Sequence, residues 1–317
     1  MEPALIIAVN PFNVLGGKLM KYFTTLVIFL HVGFALGADF SITIDDPNTY
    51  ESPLLTPEER DNAILSQLKL FGAKVTLFVC GKRVDSVEGK SLLEKWNNQG
   101  HDLGNHSYSH SYYNSSRVTF AEYSADLLRG ENIIKEFTYF KKIFRFPFLK
   151  SGETKTKRDE IRKYLKRKGY FIGHVTVDAS DWYISDRLEK RLKSNPNSNI
   201  EGYKKYYLDH MWDRAQYYDR LAKKVIGRSP KHTILIHHNL LNALFLKDLI
   251  NHFISKGWNL VDSNDAFLDE LYKMEPQTIP SGESIIWALA KEIGIDGLRY
   301  PAEDGRYEED AMNKLGL

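Results

Sequence analysis

The sequence predicts an α/β domain built on a mostly parallel sheet or barrel. Short apolar runs rich in β-branched and aromatic residues alternate with longer segments of helical periodicity. Glycines stand near several of the helix ends, and no repeat of fixed period interrupts the alternation. With 317 residues, 43% of them hydrophobic and 26% charged, the chain is long enough for one large core.

In chain order, strands are predicted at 39 to 44, 75 to 80, 101 to 104, 143 to 146, 171 to 177, 232 to 237 and 258 to 261. Helices fall between them at 57 to 71, 88 to 98, 119 to 137, 154 to 168, 204 to 226 and 242 to 255, each with apolar residues at helical spacing. The connection over 183 to 231 is longer than a minimal βα unit needs. The Lys and Arg crowding 155 to 168, and the Tyr, Lys and Trp crowding 203 to 218, read as solvated faces of amphipathic helices. A linker rich in turn residues, 275 to 283, precedes one further helix at 283 to 293 and a polar tail to which the sequence assigns no chemistry.

Residues 1–37 are expected to be removed as a signal peptide, because Lys21 precedes an apolar run that ends in small residues near Gly37. Met20 is a candidate start, which makes residues 1–19 an upstream extension. The run is short for a membrane span and His31 interrupts it. The expected product is a secreted or periplasmic protein with no stable membrane partner, a catalytic domain over 38–275 and a C-terminal extension over 276–317. Without residues 1–38 the chain holds 41 basic and 40 acidic side chains, which gives no electrostatic case for nucleic acid or an anionic membrane. The single cysteine, Cys80, ends the run Val-Thr-Leu-Phe-Val-Cys and is read as core filling.

Polar residues gather at the C-terminal ends of the predicted strands, where parallel α/β barrels place their reactive groups. Ser41-Ile42-Thr43-Ile44 runs into Asp45-Asp46, two carboxylates that can divide metal binding and base work. His106 and His110 are four apart, so on one helical turn both imidazoles reach a single cation. Arg145-Phe146-Pro147-Phe148 ends another strand with a guanidinium suited to orienting a carboxylate. Asp178-Ala179-Ser180-Asp181-Trp182 follows Val175-Thr176-Val177 and sets acids beside a flat ring. Thr233-Ile234-Leu235-Ile236 ends in His237 and His238, whose side chains point to opposite faces; His237 is read as facing the centre.

Taken alone, each segment has an ordinary structural reading. In this order they resemble the signatures of the polysaccharide deacetylase family with its NodB-type domain: the aspartate pair, His-Ser/Thr-x-x-His, Arg-x-Pro-Tyr, Asp-x-x-Asp-Trp and Leu-x-His. The resemblance covers roughly residues 39 to 262. It implies a distorted (β/α) barrel and one divalent metal ion held by Asp46, His106 and His110, with zinc the first choice and cobalt or nickel the alternatives. It further implies Asp45 as general base held by Arg145, His237 as general acid beside Asp181, and Pro147, Phe148 and Trp182 at the substrate, with the Phe148 N–H facing the oxyanion. Pro47-Asn48 replaces the usual glycine-containing turn, and Phe148 replaces the common tyrosine.

The expected activity is removal of N-acetyl groups from a GlcNAc-containing polysaccharide, with peptidoglycan first and chitin or poly-N-acetylglucosamine next. The alternatives are an O-acetyl esterase of the acetylxylan type, an amide hydrolase of small molecules, or a sugar-binding protein without catalysis.

Overall fold

In a parallel sheet the strands must be joined by crossovers, and helices supply them here. The order is β1 (Asp39–Asp45), α1 (Pro57–Phe71), β2 (Thr76–Val79), α2 (Val87–Asn98), β3 (Asp102–Asn105), α3 (Phe120–Ile134), β4 (Phe140–Phe144), β5 (Lys150–Gly152), α4 (Lys155–Arg167) and β6 (Phe171–Ile172). Then come α5 (Asp181–Ser194), α6 (Glu201–Ile226), β7 (His232–His237), α7 (Leu240–Ser255), β8 (Asn259–Leu260), α8 (Ser263–Phe267), β9 (Ser281–Gly282), α9 (Ile285–Glu292) and α10 (Arg306–Lys314). This computed structural model describes residues 37–317; the expected signal peptide, apart from Gly37, lies outside them. Among the described residues no helix is long and apolar enough to cross a membrane.

The main sheet runs β6-β4-β3-β2-β1-β7, every pair parallel, with β8 against the start of β1. The stretch predicted as one strand over 171 to 177 breaks after Ile172 into two short pieces. Phe171 and Ile172 pair with β4, whereas Val177 bridges Ile234 of β7. One segment therefore spans both edges of the sheet, which gives the distorted (β/α) barrel that the sequence predicts.

Alternation along β1 sorts its two faces. Phe40, Ile42 and Ile44 belong to the large apolar core packed against the helices. Ser41, Thr43 and Asp45 are equally buried but on the opposite face, inside the barrel. The floor of that interior is the ring of Phe78, with the Arg145 guanidinium 3.8 Å from its centroid. Space for the ring comes from two glycines. A Cβ on Gly104 would lie 2.8 Å from the Phe78 ring, and one on Gly173 would lie 2.5 Å from it. Gly104→Ala is therefore expected to cost about 1–3 kcal/mol through overpacking, read as a lower urea midpoint at unchanged slope.

The helices begin where side chains can satisfy their free N–H groups. Thr56 with Glu59, and Thr119 with Glu122, form reciprocal capping boxes at α1 and α3, and Gly72 ends α1 in the left-handed conformation.

Three expectations differ from the structure. The long connection after 183 holds α5, which the sequence pattern did not reveal, besides α6. The tyrosines of α6 are also not a solvated face: Tyr203, Tyr207 and Tyr218 are buried in the main core. The segment expected as a separate extension after 275 joins the same compact body as the other described residues. All of Ile285–Ala290 in α9 is buried, and β9 pairs antiparallel with β5.

Candidate active site

At the C-terminal ends of the strands a pocket of about 670 Å³ opens, within the usual range for ligand sites. The segments quoted from the sequence converge on it. Asp45, Asp46, His106, His110, Phe148, Asp178, Trp182, Leu235 and His237 all line it. Pro147 does not: its ring is buried beneath the wall, where it starts the short turn that presents Phe148. Backbone strain gathers at the same place. Among the described residues seven non-glycine positions have positive φ, and five of them, Asp46, His110, Phe148, Leu149 and Glu283, line the pocket. Such conformations cost of order 1–3 kcal/mol each and persist where surrounding contacts enforce them.

Asp46, His106 and His110 bring one ligand atom each to within 4.8 Å of one another. They do so without the helical turn that their spacing suggests. Residues 106–110 form an irregular loop, with Ser107 at φ 62° and His110 at φ 59°. The loop is held by the Asn105 side chain accepting from the Ser107 N–H at 2.9 Å and by Asp126 accepting from the Ser109 N–H at 3.1 Å.

The donor chemistry fits a cation. A carbonyl can only accept, so the 2.8 Å contact between His106 Nδ1 and the Arg145 carbonyl fixes the proton on Nδ1 and leaves a lone pair on Nε2. That lone pair lies 3.6 Å from Asp45 Oδ2, and His110 Nε2 lies 3.4 Å from Asp46 Oδ2. Burial pushes both imidazoles down to about 3, so at neutral pH they are uncharged. Between His106 and Asp45 an acceptor thus faces an acceptor in a buried site, which calls for a positive charge between them. Asp46 Oδ1 is buried without an aligned hydrogen bond. Its neighbour is Arg83, whose Nε stands 3.1 Å away as an ion pair. Two imidazoles and a carboxylate suit a first-row divalent ion and leave positions open for water and substrate.

Asp45 sits one residue back on β1, almost wholly buried, with Arg145 Nη1 donating to its Oδ1 at 2.6 Å. The same Nη1 donates to Thr43 Oγ1 at 2.9 Å, and Arg145 Nε donates to the Gly173 carbonyl at 2.9 Å. The guanidinium thus ties β1 to the bent segment beside it. Burial raises the Asp45 pKa, against the pull of Arg145 and His237.

Across the pocket, His237 Nδ1 donates to Asp181 Oδ1 at 2.8 Å, leaving Nε2 free to meet a ligand. Burial is the largest influence on this imidazole and opposes its charge. Asp181, then Asp45 and Asp46, outweigh it and lift the pKa to about 9. His238 faces away from this centre, fully buried, with Nε2 3.2 Å from Asp61 Oδ1.

Several functional neighbours escaped the sequence reading. Arg83 follows the end of β2, so the strand-end rule that found the other groups would have reached it. Asn48, where the family carries a glycine-containing turn, donates to the carbonyls of Asp46 at 2.9 Å and His238 at 3.1 Å, and accepts from Arg60 at 2.8 Å. It fastens the end of β1 to the end of β7. Asn239 and Asn242 brace Asp181 at 3.1 and 2.9 Å. The tail contributes Glu283, Tyr300, Pro301, Glu303 and Asp304 to the pocket wall. No short motif marks these last residues, since only the fold brings them to the site.

Comparison with known proteins adds an independent line. Residues 38–172 match the family model described as polysaccharide deacetylase. A peptidoglycan-N-acetylglucosamine deacetylase of Bacillus cereus is 29% identical over 146 residues, which make up 46% of this chain and 46% of that relative. The chain thus spans about half the length of the curated relative it matches. Among solved structures, a polysaccharide deacetylase from Bacillus cereus superposes with a TM-score of 0.50 at 18% identity, over 71% of this chain and 91% of that one. A mutant of a pseudoenzyme of the CE4 family gives a TM-score of 0.50 at 19% identity, over 73% of this chain and 67% of that one. At these identities the structural likenesses bear on the fold alone, and a pseudoenzyme among them means that activity must be argued from side chains.

Proposed function

We propose that the chain is a polysaccharide deacetylase, the family whose model matches residues 38–172, and that it hydrolyses N-acetyl groups of a GlcNAc-containing polysaccharide, with peptidoglycan the first candidate and chitin or poly-N-acetylglucosamine the second. The observation that carries this reading is that Asp45 and His237 line the same pocket as the grouped ligand atoms of Asp46, His106 and His110. Asp46, His106 and His110 are the proposed ligands, zinc the proposed ion. A divalent ion held there would polarise an acetamide carbonyl and lower the pKa of a water.

The chain's own groups divide the remaining work. Asp45, kept in place by Arg145, takes the proton from the attacking water. The Phe148 N–H is the proposed donor to the oxyanion, on a turn whose positive φ of 56° fixes its direction. His237 enters as the imidazolium and gives its Nε2 proton to the departing amine, while Asp181 stabilises the charge until that transfer. Trp182, nearly half exposed at the pocket edge, offers an apolar face to a pyranose ring.

Acetate release from purified glycans, by metal-depleted and zinc-restored protein, tests this reading. Depletion and His110→Ala are each expected to lower release at least about a hundredfold, with less than one equivalent of zinc retained by the variant. Undiminished release in either case would refute the assignment, and preferential release from O-acetylated xylan would move it to ester hydrolysis.

A further inference from the structure

Six large aromatic side chains are exposed among the described residues, and four of them, Tyr112, Phe148, Trp182 and Tyr300, line the one pocket that holds the proposed reaction centre. Three form a band leading away from the cation ligands. The Phe148 ring lies 4.6 Å from the His110 ring, and Tyr112 lies 5.5 Å beyond Phe148. Tyr300 continues the wall from the C-terminal segment, far outside the stretch that matches the family model.

Tyr300 is half exposed, yet its flanks are fixed by buried groups. Its predecessor Arg299 uses its carbonyl to accept from Trp287 Nε1 at 2.9 Å, and the Trp287 ring is 5.8 Å from the Tyr300 ring. The Ala302 N–H, two residues on, donates to Glu283 Oε2 at 3.1 Å. Glu283 is itself buried and paired with Lys150, whose Nζ lies 5.1 Å from the Tyr300 ring centroid. Glu303 accepts from Tyr218 at 3.1 Å and pairs with Arg214 and Arg299. A ring left bare to solvent between anchored neighbours is a wall already built rather than a loose side chain. Such a ring binds with little further loss of entropy.

Resting on the deacetylase reading, we propose that the segment Ser281–Asp304 is part of the substrate site, with Tyr300 the stacking face for a sugar unit beyond the one that loses its acetyl group. The ligand it fits is a hexosamine chain of several units, whose pyranose C–H faces lie flat on aromatic rings while its hydroxyls stay in water.

The test is calorimetric binding of the N-acetylglucosamine tetramer to the full chain and to Tyr300→Ala, Tyr300→Leu and Tyr300→Phe, with thermal unfolding recorded for each. Alanine and leucine are expected to weaken binding about tenfold, and phenylalanine to stay within about twofold of the parent. Leucine keeps apolar bulk against Trp287, so it reports on the flat face even where alanine disturbs the fold. Equal affinity in the leucine variant, equal loss in the phenylalanine variant, or no binding by the parent protein would each overturn the proposal. Tetramer binding that depends on Tyr300 without any acetate release would leave the stacking wall standing and remove the deacetylase reading instead.

Discussion

Asp45→Asn is expected to lower acetate release by about 10²- to 10⁴-fold while zinc content stays at one equivalent. The amide keeps the shape of the carboxylate and an oxygen for Arg145 to donate to, so the local geometry survives. It lacks the basic electron pair needed to take a proton from water. The cation ligands are untouched, because Asp46 follows on the next residue with its own carboxylate turned to the imidazoles. Burial raises the Asp45 pKa above 3.8, so the acid limb of the parent profile should stand above that value, with activity lost as pH falls through it. In the variant that limb should vanish along with most of the rate. Residual activity within tenfold of the parent would mean that another group serves as base, and Asp178, which burial lifts to about 6, would be the next to examine.

Much of this site was legible in the sequence because strand ends and reactive groups coincide. Ile44 runs into Asp45, Ile236 into His237 and Val177 into Asp178, so the period-two pattern of each strand also locates the residue that emerges at its end. Helices with regular apolar spacing were equally readable, and α1 was bounded to the residue. What failed was whatever depends on contacts between distant segments. The 171–177 run looks like one strand because aromatic and β-branched residues recur along it. After the break at Ile172, Gly173 meets the Phe78 ring and the Arg145 guanidinium, neither of which its own sequence shows. The spacing of His106 and His110 suggests a helical turn, but Ser107 and His110 adopt positive φ in a loop whose N–H groups donate to the Asn105 and Asp126 side chains. A four-residue interval can satisfy one ligand geometry through different backbones.

The tail illustrates the same limit from the other side. Residues 276–317 contain no motif with its own chemistry and read as an appendage. The signal that places them in the site is the apolar run Ile285–Ala290, which cannot stay exposed and packs α9 against α6. Once that helix is seated, the chain between it and α10 must pass the open end of the barrel, which brings Tyr300 and Glu303 to the pocket.

Asp181→Asn should produce the second large effect, and its mark is a displaced pH profile as well as a lower rate. Asp181 is fully buried and accepts four hydrogen bonds: from the His237 N–H at 2.9 Å, His237 Nδ1 at 2.8 Å, Asn239 at 3.1 Å and Asn242 at 2.9 Å. Every partner donates to the carboxylate, so the amide nitrogen of asparagine either meets a donor or forces His237 into the tautomer whose Nδ1 accepts. The negative charge that holds the His237 pKa near 9 also disappears. Burial then acts with less opposition, and the imidazolium is lost at lower pH. In the parent protein the protonated acid persists below its raised pKa and activity falls as pH rises through about 9, or lower when a bound cation cancels part of the pull of Asp46. In Asp181→Asn the alkaline limb should move down toward or below the ordinary imidazole value of about 6.5, with the rate at pH 8 reduced about a hundredfold or more and partly regained on acidification. A purely structural role for Asp181 would lower the rate equally at every pH, so an unshifted alkaline limb would show that His237 does not act as the acid.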